Sequence, residues 1–199
     1  MPLIGLMEYL DENYESSVFE SFLKSGNQAV FHLNGHRIVQ GSLRAVERFD
    51  FILETGDGKE ESTLKHNVKM VYDASLSSGI RPLLKTDNNI KAQNFKPILS
   101  GAGRNHIKNK TLFPLMKDRT VLFFCLLEGE IIKGIILGFS RYEITVGMKG
   151  GLPVTILRHA VYDLRDKRKK CFLKRIQQIK KDWKSSSYYI EANISARNQ

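Results

Sequence analysis

The feature of this chain that most constrains its fold is an internal repeat. Residues 28–71 (the first copy) align with residues 120–164 (the second copy), and three groups of residues recur at one offset of 93. The groups are Gly41 with Gly134, Arg48-Phe49-Asp50 with Arg141-Tyr142-Glu143, and Leu64-Lys65-His66 with Leu157-Arg158-His159. One offset held over about thirty residues, with aromatic, acidic and basic character preserved, indicates a tandem duplication.

Each copy has the pattern of a small all-β unit. In the first copy, short apolar runs are separated by turn residues at Asn34-Gly35 and at Gly56-Asp57-Gly58. Gly41 falls inside a longer run, where a strand glycine indicates a bend. This alternation of short runs and turns predicts five short strands, and the second copy repeats it.

A short helix is predicted before each copy. Val18, Phe19, Phe22 and Leu23 have helical spacing behind the candidate caps Ser16 and Ser17. Before the second copy, Leu112, Leu115 and Met116 repeat the pattern. The predicted fold is therefore mainly β, with two small, bent, five-stranded barrels, each preceded by a short helix.

The charge of the chain is unevenly distributed. The net charge is +10, but residues 1–100 carry 11 Lys/Arg against 13 Asp/Glu, whereas residues 101–199 carry 20 against 8. The second half, with a net charge of +12, is therefore expected to attract a polyanion.

Several function classes are not supported by the sequence. The two cysteines form no C-x-x-C motif, the five histidines have no metal-ligand spacing, and no nucleophile motif occurs. We therefore expect no enzyme activity, no metal and no cofactor.

The N-terminus is a poor signal peptide, which predicts a cytoplasmic protein. The apolar run at 121–139 contains charges and glycines, so it predicts two buried strands joined by a turn and not a membrane span.

The repeated residues resemble the Sm-like fold and, within it, the bacterial Hfq branch. The resemblance rests on the turn and strand glycines, on Phe49 and Tyr142 after the bent strand, and on the basic-His pairs that follow. It covers residues 16–73 and 109–163. It implies domains at 1–73 and 109–163, a linker at 74–108, and a ring of units whose face binds single-stranded RNA. Where the family's helix carries a glutamine near its start, this chain has Glu15.

The resemblance also implies roles for individual residues. Phe49 and Tyr142 would each stack an RNA base, and the neighbouring cations would contact base edges or phosphates. These cations are Arg48, Lys65 and His66 in the first copy, and Arg141, Arg158, His159, Lys117 and Arg119 in the second. Two alternatives stay open: the aromatics could be core residues, and the histidines could bond to the backbone.

Function and assembly follow from the same resemblance. It implies an RNA chaperone or post-transcriptional regulator, and the alternative is an Sm-like scaffold that binds proteins and has little RNA affinity. Because family rings usually hold six units, a two-unit chain would close a ring as a homotrimer.

The C-terminal region, residues 164–199, predicts a basic amphipathic helix followed by a tail. Phe172, Ile176, Ile179 and Trp183 would share one face of a helix over 164–184. Its cations include Arg165, Lys167, Arg168, Lys169, Lys170, Lys174 and Arg175. Such a helix could dock on the barrel, contact RNA or, less in keeping with the rest of the chain, lie on a membrane surface.

Overall fold

The computed structural model of the chain describes residues 4–97 and 107–173, which are organised around one antiparallel sheet. Its strands are β1 (Gln28–Leu33), β2 (Ile38–Val46), β3 (Asp50–Thr55), β4 (Glu60–Leu64), β5 (Val68–Asp73), β6 (Lys85–Thr86), β7 (Leu122–Leu126), β8 (Glu130–Phe139), β9 (Glu143–Gly147), β10 (Pro153–Leu157) and β11 (Val161–Asp166). The α-helices are α1 (Leu6–Asn13), α2 (Val18–Ser25), α3 (Ser77–Ile80), α4 (Asn88–Ala92) and α5 (Asn109–Lys117). The prediction of a mainly β protein is confirmed.

The two copies have the same strand order in this sheet. The full order is β11-β7-β8-β9-β10-β5-β1-β2-β3-β4, with β6 paired to β8 at the side. Each copy therefore places its fifth strand beside its first and then continues to its fourth. The pairing register shifts between Leu43 and Ala45 in β2, and between Ile136 and Gly138 in β8, again 93 residues apart.

The strand glycines of the two copies also serve the same purpose. A Cβ atom on Gly41 would overlap the carbonyl oxygen of Glu54, and one on Gly134 would overlap the carbonyl oxygen of Gly147. Both neighbours belong to the next strand of the same copy. A side chain at either position would push that strand away, so each bend requires glycine.

The strands do not close into two separate barrels, and this part of the prediction is wrong. The fourth strand of the second copy, β10, pairs antiparallel with the fifth strand of the first copy, β5, through Thr155 opposite Val71 and Ile156 opposite Met70. We call this pairing the join. Because β5 pairs with β1 on its other side, the backbone ladder runs without interruption from one copy into the other.

The hydrophobic core also crosses the join. The smaller cluster consists of first-copy residues, helix α2 and Leu157 of the second copy, and in it the ring of Phe51 lies 5.1 Å from that of Phe19. The larger cluster combines second-copy residues with Met70 and Tyr72 from β5. Helix α1 packs on the second copy, where the Tyr9 hydroxyl donates to the Phe139 carbonyl at 2.9 Å. The N-terminus, predicted with the first domain, therefore lies against the second copy.

The segment predicted as a linker contains short ordered elements within residues 74–92. Ile80 in α3 is fully buried, and Lys85 in β6 pairs with Ile131 in β8. The apolar run at 121–139 forms β7 and β8, which confirms the prediction of two strands joined by a turn. Across residues 4–97 and 107–173, no helix has the length and apolar character to cross a membrane.

The predicted C-terminal helix is wrong for residues 164–173. Strand β11 continues to Asp166. The chain then turns back, and the backbone of Cys171 forms an isolated antiparallel β-bridge with Arg165. Leu164 and Leu173 are fully buried in the core, and pairing with β7 overrides the helical spacing of the apolar residues. The remainder of the predicted helix, with Lys174 and Arg175, lies outside the described residues.

Candidate nucleic-acid interface

Two exposed aromatic side chains mark equivalent places in the two copies. Phe49 is 66% exposed and Tyr142 is 57% exposed, although both are large rings. The guanidinium of Arg48 lies 5.0 Å from the centre of the Phe49 ring, and that of Arg141 lies 5.2 Å from the Tyr142 ring. Neither aromatic is a core residue, so this alternative is wrong.

A tight turn explains the exposure of both rings. The backbone N–H of Glu47 donates to the Asp50 carbonyl at 2.9 Å, and the N–H of Ser140 donates to the Glu143 carbonyl at 3.0 Å. Each bond closes a two-residue loop between the second and third strands of its copy. Arg48-Phe49 and Arg141-Tyr142 form the tips of these hairpins, where side chains point away from the core.

The predicted basic pairs begin directly beside these hairpin tips. The backbone N–H of Lys65 donates to the Phe49 carbonyl at 2.8 Å, and the N–H of Arg158 donates to the Tyr142 carbonyl at 2.8 Å. In both copies the pair lies in a one-turn 3₁₀-helix between the fourth and fifth strands. The structure therefore brings together the aromatic and basic residues that the sequence predicted.

In the first copy, the basic pair stays near the surface. The Lys65 ammonium donates to the Glu47 carbonyl and lies 5.5 Å from the centre of the Phe19 ring. His66 is half-buried, and its carbonyl accepts a hydrogen bond from the Asn34 side chain at 3.3 Å. The Lys65 ammonium is thus held at the residue before the Arg48-Phe49 tip, so a ligand stacked on Phe49 would have this cation nearby.

In the second copy, the Arg158 side chain forms hydrogen bonds within the protein. Its guanidinium donates to the Asn109 side chain at 2.9 Å and to the Ile107 carbonyl at 3.3 Å, which ties the start of α5 to the sheet. It also lies 5.4 Å from the centre of the Phe139 ring. Burial lowers the pKa of Arg158 to about 10. The predicted contact of this side chain with RNA has little support from its position.

His159 bonds to the backbone across the join. Its Nε2 lies 2.9 Å from the carbonyl oxygen of Val68 in the first copy. Since a carbonyl oxygen can only accept, the Nε2–H is the donor. The alternative that a histidine bonds to the backbone is thus confirmed for His159, which helps to hold the two copies together.

The other predicted cations of the second copy are exposed. Lys117 lies in the last turn of α5, with its ammonium 5.4 Å from the centre of the Phe113 ring. Arg119 follows the helix in a left-handed conformation, with φ of 48°. Lys167, Arg168, Lys169 and Lys170 are exposed on the turn after β11, whereas Arg165 pairs with the buried Asp163.

The Tyr142 tip lies where the two copies meet. The next residue, Glu143, is buried, and its carboxylate accepts the Val18 N–H at 2.8 Å and the Ser17 hydroxyl at 3.3 Å. A second-copy carboxylate therefore caps the N-terminus of helix α2, which belongs to the first copy. Burial raises the pKa of Glu143 to about 7. Sequence reasoning missed this cap because Ser17 and Val18 lie 126 and 125 residues away from Glu143 in the chain.

The N-terminal segment also borders the Tyr142 tip. The backbone N–H of Arg141 donates to the Tyr14 carbonyl at 2.7 Å, and the Arg141 side chain lies 3.7 Å from a carboxylate oxygen of Glu15. The side chains of Tyr142, Arg141, Tyr14 and Glu15 are thus contributed by both sides of the join. Glu15 adds negative charge beside Arg141, so any phosphate near this arginine would compete with Glu15.

A buried ionic cluster lies on another part of the join. The Lys69 side chain is 1% exposed and pairs with the carboxylates of Glu128 and Glu130. Glu128 also accepts the backbone N–H of His36 at 2.9 Å and that of Gly35. One turn of the second copy is thereby bonded to one turn of the first. No sequence signal indicated this cluster, because a lysine between apolar residues of a short strand gives no information about its partners.

The electrostatics of the cluster favour an ion pair and not a metal. Burial alone would raise the pKa of Glu128, but hydrogen bonds from Lys69, Gly35 and His36 hold it below its usual range. Ligand atoms of His36, Glu128 and Glu130 lie within 4.8 Å of one another. The Lys69 ammonium already pairs with both carboxylates, and a metal ion would have to displace this buried cation.

Comparisons with known proteins add no further information on the site. No protein-family model matches the chain, and no curated protein matches it.

Proposed function

We propose that the chain is an RNA-binding protein of the Sm-like, Hfq-type class, in which two degenerate units bind single-stranded RNA. Its role would be that of an RNA chaperone or post-transcriptional regulator in the cytoplasm. The observation that carries the proposal is the pair of exposed hairpin tips, Arg48-Phe49 and Arg141-Tyr142, at equivalent places in the two copies. The shared strand order of the copies supports the Sm-like assignment.

The hairpin tips have the chemistry that single-stranded RNA requires. An aromatic face accepts any base, because every base has a π-face, and such stacking contributes about 1–3 kcal/mol per base. The adjacent arginine offers a planar donor for phosphate. An exposed ring of this kind has no stabilising role in the core, so a ligand-binding role accounts for its position better than packing does.

Tyr142 is the stronger of the two candidate stacking residues. Its tip lies at the join, beside Tyr14 and the start of α2, so groups from both copies surround it. Its hydroxyl can also bond to a base edge or a ribose, which Phe49 cannot do. The second half of the chain carries the net charge of +12. We therefore propose Tyr142 as the principal base-stacking residue and Phe49 as a weaker one.

The join also offers a template for a ring. It pairs the fourth strand of one copy with the fifth strand of the other, and the two ends of the sheet are again a fourth strand, β4, and a fifth strand, β11. Three chains joined in this way would hold six units. The homotrimer thus stays part of the proposal, as the form that results when the β4 edge of one chain pairs with the β11 edge of the next.

A fluorescence-polarisation titration with short U-rich and A-rich RNAs tests the function. The matched variants are Tyr142→Leu, which removes the ring but stays apolar, and Tyr142→Phe, which keeps the ring. We expect Tyr142→Leu to weaken binding about 5- to 150-fold, the equivalent of 1–3 kcal/mol, and Tyr142→Phe to bind within a few-fold of wild type. Affinity should fall steeply with added salt, because cations contact phosphates.

The same titration separates RNA binding from the scaffold alternative. A protein scaffold would bind neither RNA at low salt. RNA binding that is equally strong in wild type and Tyr142→Leu would remove Tyr142 from the site. In that case the exposed lysines and arginines that follow β11 would be the next candidates, because they need no aromatic partner.

A further inference from the structure

The join shows which backbone groups an added strand needs. In an antiparallel sheet, the backbone N–H and C=O groups of successive residues point alternately to the two neighbouring strands. The Arg158 N–H donates to Tyr142, so the groups of Arg158 and of every second residue before it in β10 point toward β9. Thr155 is three residues before Arg158 and so belongs to the other set, whose N–H and C=O groups point toward β5, where Thr155 lies opposite Val71. The backbone N–H and C=O of Val71 are thus the groups through which the first copy pairs with the second.

At the far end of the sheet, the equivalent groups are already bonded within the chain. Leu164 of β11 occupies the position of Val71, 93 residues later. Its N–H donates to the side chain of Asp163 at 2.8 Å, and its C=O accepts the N–H of Phe172 at 2.9 Å. Neither group is left for a strand from another molecule.

The segment that occupies this edge is Lys170–Leu173, which we call the return segment. Its turn is fixed by Asp166, whose side chain accepts the N–H of Arg168 at 2.8 Å and that of Lys170 at 2.9 Å. Its end is anchored by Leu173, which is fully buried in the larger core cluster. The return segment is therefore held in place at both ends, by a hydrogen-bonded turn and by a buried side chain.

A residue difference between the copies reinforces the closure. Asp163 stands where the first copy has Met70, a residue of the join. Asp163 is buried, pairs with Arg165 and supplies the acceptor for the Leu164 N–H. Inward-pointing charges and covering segments are the means by which proteins protect sheet edges from unwanted pairing. The second copy combines both on β11.

The opposite end of the sheet has no covering segment among the described residues. The backbone N–H of Lys65 donates to Phe49 and so points toward β3. By the same alternation, the N–H and C=O groups of Leu64, Ser62 and Glu60 in β4 point away from β3. Of these residues, Ser62 occupies the position of Thr155. Within residues 4–97 and 107–173, β4 pairs with β3 alone. One molecule therefore presents an open β4 edge and a closed β11 edge.

We propose that the return segment is an intrachain cap that controls self-assembly of the protein. With the cap in place, β11 cannot accept the β4 edge of a second copy. When the cap is displaced and Asp163 releases the Leu164 N–H, Leu164 pairs with Ser62 of another molecule as Val71 pairs with Thr155. The partner is a second copy of this chain, because its β4 has the register and alternation of β10. This inference rests on the assembly part of the proposed function and not on RNA binding.

The test is the native mass of the full-length protein, measured without RNA at tens of micromolar. Phe172→Pro removes the N–H that bonds to Leu164, and Leu173→Asp removes the buried anchor. We expect wild type to have the mass of one chain, 22.8 kDa, and both variants to show an approximately threefold larger species. Circular dichroism establishes that each variant is folded.

A second substitution identifies the edge that is used. Ser62→Pro removes an N–H that points away from β3, so an edge strand tolerates it. Combined with Phe172→Pro, it should return the mass to one chain. Folded single variants that keep the mass of one chain, or a wild type that is already trimeric, would overturn the proposed cap. Because no RNA is present, failure of RNA binding in the polarisation assay leaves this result unaffected, and the converse also holds.

Discussion

Lys69 is the residue whose replacement tests most sharply how the two copies are held together. Its ammonium is buried at the join between the carboxylates of Glu128 and Glu130. The substitution Lys69→Met keeps the length of the side chain but removes the charge. Both carboxylates then lose their counter-ion in a buried place, and the free energy of unfolding should fall.

The magnitude follows from two competing responses of the carboxylates. If both stay ionised with oxygens no more than 4.8 Å apart, their repulsion is at least about 3 kcal/mol at an effective dielectric constant of about 20. If one takes up a proton, the cost at pH 7 is about 3–4 kcal/mol for an ordinary glutamate. The two responses cost about the same, and loss of one partner from a buried pair is typically worth about 3–5 kcal/mol. We therefore expect about 3 kcal/mol, or a melting temperature lower by roughly 6–12 °C.

Urea unfolding of wild type, Lys69→Met, Glu128→Gln and the double variant measures this loss. The double variant should recover part of the stability, because it leaves fewer unpaired charges. At pH 5 the deficit of Lys69→Met should shrink, since protonation of one glutamate then costs only about 1 kcal/mol. A deficit below about 1 kcal/mol at pH 7, or one that does not change with pH, would refute the ionic account of the join.

Three further predictions concern other parts of the fold. Gly41→Ala and Gly134→Ala should each destabilise the protein by about 1–3 kcal/mol in urea unfolding, because an added Cβ overlaps the next strand; a neutral effect at both sites would contradict the shared bend. The pKa of Glu143 is raised from 4.5 to about 7, so its stabilising neutral form is fully populated below pH 4.5 and is lost as pH rises to 7. Wild type should therefore lose on the order of 3 kcal/mol over this range relative to Glu143→Gln, and parallel pH profiles would exclude the shift. Burial lowers the pKa of His32 to about 4, and an NMR titration of its ring with a midpoint near 6.5 would contradict the buried position.

The local pattern of the sequence predicted the repeating part of the fold well. Turns at Asn34-Gly35, bends at Gly41 and Gly134, and short apolar runs depend on neighbours close in the chain, and these elements occur where they were expected. The equivalence of Phe49 and Tyr142 was also predicted, because a single offset of 93 residues relates them. Their exposure was left open by the sequence and is given by the structure. The information for the turns and bends is contained within a window of a few residues, and the repeat adds a comparison between the two copies.

Features that depend on distant contacts could not be predicted from the sequence. The partners of Lys69 lie 59 and 61 residues further along the chain, and nothing around Lys69 indicates them. Arg158 was expected to contact RNA because of the family resemblance, yet its guanidinium bonds within the protein to Asn109 and Ile107. The apolar spacing around Phe172 indicated a helix, whereas strand pairing by Leu164 and burial of Leu173 decided the outcome.

RNA is proposed to stack on the hairpin tips of the two copies. Photocrosslinking with 4-thiouridine-labelled single-stranded RNA, followed by mass mapping of the crosslinked peptides, tests it most directly. We predict crosslinks at Tyr142 and, less abundantly, at Phe49, because a stacked base lies in contact with the ring. Crosslinks confined to residues beyond 173, or none at either tip when RNA is bound, would contradict the claim.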